Sequence, residues 1–204
     1  MTKSTNTVWS FDLDTVERWA YAKNAFSPQE CQSIIDYGNK FQLTESTVIT
    51  TDETSNDLVN TNDLGIRKSK VNFIIPSDDT AWIYHRLTTT AMNLNNQFFK
   101  FDLFGFAEGL QFTRYDAPSG KYNYHIDKNQ GGNIRKLSII LLLSDPSTYE
   151  GGDFEILDSM KEEKLLKEQG TVLAMPSYLL HRVTEITKGT RYSLVGWITG
   201  NNFR

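Results

Sequence analysis

The sequence predicts a mostly β fold with helices at its N-terminal end. Three observations carry that reading. Helical periodicity is confined to two stretches before residue 103. Beyond residue 103, short alternating or apolar runs follow one another with no helical pattern between them. Gly, Pro, Asn and Asp separate those runs, in DAPSG, NQGGN, YEGG and TKG. Many short strands punctuated by turn residues point to an all-β sandwich or barrel.

The first helix is announced by SPQE at Ser27: an N-cap serine, a proline at N1 and a glutamate at N3, which together make a capping box. Cys31, Ile34, Ile35 and Gly38 then fall on one helical face, and the helix is expected to run to about Lys40. A second helix is expected from about Ser77, with Asp78 and Asp79 placed to suit the helix dipole in its first turn. Ile83, Leu87, Ala91, Leu94 and Phe98 form its apolar stripe. Both stripes are read as faces packed on a sheet.

Residues 44–65, TESTVITTDETSNDLVNTNDLG, show little periodicity. A loop of that length in a compact domain is either functional or disordered, so it is read as a mobile loop, either a lid over a substrate or plain disorder. The strands are expected near 110–115, 121–126, 135–143, 153–157, 170–175, 181–186 and 191–198. KEEKLLKEQ at 161–169 reads equally as a helical turn or a hairpin tip.

Composition narrows the function classes. The 204 residues suggest one domain, 1–204, with 1–102 as helical support and 103–204 as the β core. Twenty-one basic residues against 25 acidic ones give a net charge of -4, which argues against a nucleic-acid partner. Cys31 is the single cysteine, so no intrachain disulfide can form, as suits a reducing compartment. The N-terminal MTKSTNTVWSFDLD lacks the apolar region of a signal peptide, and LSIILLL at 137–143 is too short to span a bilayer. The expectation is a soluble cytoplasmic protein with no membrane partner.

The chemistry concentrates in YNYHIDK at 122–128. In a strand, residues i and i+2 share a face, so His125 and Asp127 project together, with Asn123 beside them. Two other histidines exist. His85 lies beside the apolar stripe of the second helix and reads as a partly exposed helix residue, whereas His181 opens a strand. His181 is therefore the one that can complete a two-histidine, one-carboxylate set. Such a set leaves open coordination positions, the arrangement of non-heme Fe(II) oxygenases, whereas structural zinc takes four protein ligands.

Arg191 and Ser193 follow His181 in the chain. A three-residue hairpin at Thr187-Lys188-Gly189, with Gly189 left-handed, sets Glu185 opposite Arg191. It places His181, Val183, Arg191, Ser193, Val195 and Trp197 on one face, with Arg191 about 13 Å from His181 along the sheet. An arginine there suits bidentate binding of a dicarboxylate whose other end reaches the metal. Gly151–Gly152 reads as a turn, and Arg135 as a structural ion-pair residue.

Several segments together resemble the 2-oxoglutarate- and Fe(II)-dependent dioxygenases of the prolyl 4-hydroxylase-like branch. They are NAFSPQECQSIIDYG, IRKSKVNFI, LQFTRYDAPSGKYNYHID, RKLSIILLLSDPSTYEGGDFEI and GTVLAMPSYLLHRVTEITKGTRYSLVGWI. The resemblance implies a double-stranded β-helix, or jelly roll, over 103–204. It implies that His125, Asp127 and His181 hold Fe(II), and that Arg191 binds 2-oxoglutarate with help from Ser193 and Tyr115. Trp197 is implied at the pocket wall. Tyr122 and Tyr124 are weaker substrate-side candidates, because the pleat turns them away from His125 unless a bulge intervenes. Many members carry lysine where Arg191 stands, so arginine marks a sub-branch. The implied activity is hydroxylation of an unactivated C–H bond with dioxygen, and ascorbate as reductant. A prolyl residue in a peptide or protein is the implied substrate. The alternatives are a small molecule such as a free amino acid, or a jelly-roll binding module without turnover.

Overall fold

The structure is a computed structural model and describes residues 16–51, 58–61, 65–106, 108–128, 134–158 and 161–201. Two antiparallel sheets share one long strand, Leu180–Gly200. In the first sheet the order is Ala20–Ala22, Val172–Pro176, Arg135–Leu142, the C-terminal half of the long strand, Leu110–Asp116, Lys70–Ile74 and Thr44–Glu45. In the second, residues 180–186 of the long strand lie between Gly120–His125 and Phe154–Asp158. Arg67–Lys68 adds to the first of these neighbours and Lys161–Lys164 to the second. This is the jelly roll.

Alternation decides what each face of the first sheet does. Leu110, Phe112, Leu137, Ile139, Leu141, Val172, Ala174 and Leu194 join the cluster that also takes in the helices. Tyr115, Ile140, Leu142, Leu173 and Met175 point the other way, against Phe154, Ile156, Val183 and Ile186 of the second sheet. Each of these strands is therefore buried on both faces, which is why 137–143 reads as an unbroken apolar run. The inter-sheet face also buries polar side chains: Gln111, Thr113, Ser138, Arg191 and Ser193. Hydrogen bonds of Gln111 with Thr113, Ser138 with Ser177 and Arg191 with Ser193 offset part of the cost of burying them.

The first helix is Pro28–Gly38, with both halves of the capping box formed at Ser27 and Glu30, and with Cys31, Ile34, Ile35 and Gly38 buried. The second is Ala81–Leu94, so Asp78 and Asp79 lie before its first turn. The Thr80 hydroxyl explains the later start: it donates to the Ile75 carbonyl and accepts from the Ser77 amide, holding 77–80 as a separate turn. The helix closes in a π turn, Asn95–Phe99. The extra residue of that turn buries Phe99, while Phe98 is only half-buried.

Two expectations fail. Residues 187–189 form no hairpin: Gly189 is left-handed, but it pairs with Tyr149, and the chain continues as one strand that leaves the second sheet and enters the first. Residues 44–65 are not one loop, since Val48–Thr51 pairs with Leu58–Thr61, and Thr44–Glu45 with Lys70–Ile74. The β-branched run Val48-Ile49-Thr50-Thr51 favours a strand even without alternation. The lid reading turns on residues 52–57 and 62–64, which lie outside the described residues. Lys161–Lys164 is a strand antiparallel to Phe154–Asp158, which settles the open reading of KEEKLLKEQ as a hairpin. Among the described residues no helix is long and apolar enough to cross a membrane.

Candidate metal centre

His125 ends its strand and pairs directly with His181, the second residue of the long strand. Asp127 follows just beyond the strand end. One ligand atom from each of the three lies within 4.8 Å of the others. His125 Nε2 is 3.7 Å from one Asp127 oxygen, and His181 Nε2 is 3.7 Å from the other.

The ring orientations suit a cation. His125 Nδ1 is 2.8 Å from the Asn123 carbonyl, and His181 Nδ1 is 2.9 Å from the Leu179 carbonyl. A carbonyl only accepts, so each Nδ1 carries a proton and each Nε2 is the ring nitrogen that faces Asp127. Burial, and then the neighbouring His181, push the His125 imidazole well below its ordinary value, keeping it neutral. Burial alone would raise the Asp127 carboxyl, but His181, His125, Ser138 and Trp197 outweigh it and hold the group charged. Two imidazoles and one carboxylate, the rings oriented by their own backbone, fit a divalent ion with coordination positions to spare.

The neighbours of this group are aromatic. Tyr122 stacks on His125 with ring centroids 3.4 Å apart, and Phe154 stacks on His181 at 5.3 Å. Strict alternation would turn Tyr122 away, but the register slips between His181–His125 and Val183–Tyr122, and this bulge brings Tyr122 onto the His125 side. Asn123, expected beside the pair, is exposed and bonds the Gly65 carbonyl instead. Tyr124 points away, where its hydroxyl donates to Glu162 and Arg182 covers its ring.

Arg191 is only 3 % exposed. Its Nη1 donates to Ser193 Oγ at 3.3 Å, and its guanidinium carbon lies 5.5 Å from the Tyr115 ring. It also lowers the Tyr149 phenol, partly offsetting burial, which raises it. Among the described residues no carboxylate pairs with Arg191. A side chain on Gly152, whose φ is +62°, would run into Ile186 and approach Arg191 Cδ at 3.0 Å, so this glycine leaves room for both side chains. Arg191 thus enters the interior from the first sheet while His181 enters from the second, rather than both standing along one sheet.

Trp197 lies on the same strand face as Arg191. Its buried indole N–H lies toward Asp127 and favours that carboxylate, though it completes no full hydrogen bond among the described residues. Arg135 covers the ring at 3.7 Å and pairs with Glu108 through two 2.7 Å bonds, so the ion-pair reading of Arg135 holds at the rim of the site. His85 is exposed on the second helix. Two site residues escaped the sequence reading. Tyr149 precedes the YEGG turn and carries no signal of its own. Arg67 did carry one: Arg67, Ser69 and Val71 alternate with Lys68 and Lys70, which puts an arginine on a buried strand face.

Residues 110–199 match the model of the 2OG-Fe(II) oxygenase superfamily. A PKHD-type hydroxylase of Picosynechococcus sp. is 41% identical over 90 residues, which make up 44% of this chain and 41% of that protein. Another, of Synechococcus sp., is 46% identical over 81 residues, 39% of this chain and 36% of that protein. The chain thus spans less than half the length of these curated relatives. Among solved structures, a Pseudomonas putida prolyl-4-hydroxylase superposes with a TM-score of 0.70 at 16% identity, covering 91% of this chain and 94% of that one. A prolyl hydroxylase from Trichoplax adhaerens, in complex with a hypoxia inducible factor peptide fragment, gives 0.70 at 15% identity over 90% and 84%. At such identities the likeness is one of fold.

Proposed function

We propose that this chain is a 2-oxoglutarate- and Fe(II)-dependent dioxygenase of the prolyl 4-hydroxylase-like kind, acting on a prolyl residue of a peptide or protein. The observation that carries the proposal is the meeting, in one polar inter-sheet interior, of a His125–Asp127–His181 donor set and a buried arginine with no carboxylate partner among the described residues. The match over residues 110–199 and the hydroxylase relatives support it.

When bound, Fe(II) and 2-oxoglutarate would supply the activation of dioxygen, with ascorbate keeping the metal reduced. The protein's part is placement. His125, Asp127 and His181 would hold the metal, their Nδ1–H bonds to backbone fixing the ring planes. Arg191 would grip the far carboxylate of 2-oxoglutarate with two N–H donors, and Ser193 Oγ and Tyr115 flank it there. The apolar wall of Ile140, Leu142, Leu173 and Val183 would exclude water from the reacting carbon. Trp197 and Tyr122 would stand on the substrate side, with Tyr122 stacked on His125.

The test is mass spectrometry of prolyl peptides, with free L-proline as a parallel arm, after incubation with Fe(II), 2-oxoglutarate and ascorbate in air. The proposal expects a peptide gaining the mass of one oxygen atom. A gain on free proline alone moves the substrate class to small molecules. No gain in either arm removes prolyl hydroxylation.

A further inference from the structure

Arg67 is a cation that the reading above leaves unused. It sits on the short strand Arg67–Lys68, directly opposite Tyr122. Its guanidinium carbon lies 4.4 Å from the Tyr122 ring, whose other neighbour is the His125 imidazole. One phenol ring therefore separates this charge from a metal ligand. The residue is 7% exposed. Its Nε donates to Ser69 Oγ at 2.9 Å, and Ser69 in turn donates to Ser46. Among the described residues no carboxylate lies within ion-pair distance of it. The Ser69 bond fixes the plane of the guanidinium and leaves the paired Nη donors without a bonded acceptor among the described residues. A guanidinium withdrawn from water without a counter-charge is costly unless a partner completes it.

The other arginines near the site differ. Arg135 is fully engaged by Glu108, and Arg182 by Glu155. Arg191 faces the Tyr115–Tyr149 side of the interior, whereas Arg67 approaches from the edge of the second sheet, behind Tyr122.

Resting on the dioxygenase reading, we propose that Arg67 is a specificity-determining residue that binds a carboxylate of the substrate. The substrate class is then a prolyl peptide with an acidic residue close to the proline. The planar fork of Arg67, held by Ser69, would take that carboxylate through two parallel bonds, while Tyr122 carries the adjoining peptide past His125.

The experiment is anaerobic calorimetry on the Fe(II)- and 2-oxoglutarate-loaded protein. The probes are hexapeptides with one proline, differing only by Glu against Gln at each flanking position. Affinity for 2-oxoglutarate is measured separately on every variant. The expected result is one flanking position where Glu binds about tenfold tighter than Gln. Arg67→Met brings that ratio to near one with 2-oxoglutarate affinity unchanged, and Arg67→Lys retains part of it. Should Arg67→Met not fold, Arg67→Gln and Arg67→Lys carry the comparison. An acid preference that survives Arg67→Gln, no acid preference at any position in the wild type, or a loss confined to 2-oxoglutarate affinity would each overturn the proposal. Failure of the dioxygenase reading is separable, because the wild-type protein would then not bind 2-oxoglutarate with Fe(II) at all.

Discussion

His125 and His181 are direct cross-strand partners, with ring centroids 4.1 Å apart and planes inclined by 55°. Each is held by the backbone carbonyl two residues before it, Asn123 for one and Leu179 for the other. The pairing joins chain segments far apart in sequence, and the repeated local bond turns both Nε2 atoms toward Asp127. A donor set built this way is set by the sheet, so it stands ready before any ion arrives.

Replacing Arg191 tests the anchor of the cosubstrate. Arg191→Met is expected to raise the KM for 2-oxoglutarate by roughly 10- to 100-fold, the loss of charge-assisted hydrogen bonds. Metal affinity should stay as in the wild type. Arg191→Lys should fall between, because lysine keeps the charge and loses the planar fork. Steady-state succinate release against 2-oxoglutarate concentration measures all three.

Tyr122 separates stacking from hydroxyl chemistry. Burial pushes its phenol up to about 12, so it stays neutral in ordinary buffers. Tyr122→Phe keeps the ring on His125 and should leave metal affinity near the wild-type value. Tyr122→Ala removes the support on that face of the imidazole. It should weaken Co(II) binding by about 10-fold, the low end of what outer-shell losses produce. Absorption titration with Co(II) distinguishes the two variants.

The local signals were the readable ones. The capping box at Ser27 and the strand runs between turn signals each lie within a few residues, and the fold follows them closely. The same holds for the pairing of His125 with Asp127 across one residue. What failed depended on distant partners. Gly189 has the left-handed φ a hairpin would want, but it uses it opposite Tyr149 to change sheets. Tyr122 faces His125 because of a bulge against Val183, a matter of register between strands some sixty positions apart in the numbering. Arg67 lies in IRKSKVNFI, yet the role proposed for it rests on having no counter-charge among the described residues, which no stretch of chain displays by itself.

Asp153 gives the stability of the Gly151–Gly152 corner a pH signature. Burial would raise its carboxyl, but bonds from Lys164 and Lys167 outweigh this and hold it below the usual carboxylate range. A carboxyl depressed in the folded state stabilises fully above its unfolded value, and that stabilisation disappears as the pH falls through the lower folded value. Thermal unfolding of Asp153→Asn should therefore show a constant deficit against the wild type above about pH 5, shrinking under more acid conditions. A deficit that grew on acidification would mean the ion pairs are not what the carboxylate provides.

Gly152→Ala should be destabilising by about 1–3 kcal/mol, since it combines a positive φ with contact against Ile186 and Arg191. Urea unfolding gives the stability. A parallel rise in the KM for 2-oxoglutarate would show that Arg191 has been displaced, whereas an unchanged KM would limit this glycine to the turn.

The most direct measurement is the conversion of 2-oxoglutarate to succinate in air by the Fe(II)-loaded protein, compared with His125→Ala, Asp127→Ala and His181→Ala. The account predicts turnover in the wild type and its loss in all three variants, together with loss of the metal from each. Undiminished succinate formation by the three variants would contradict it.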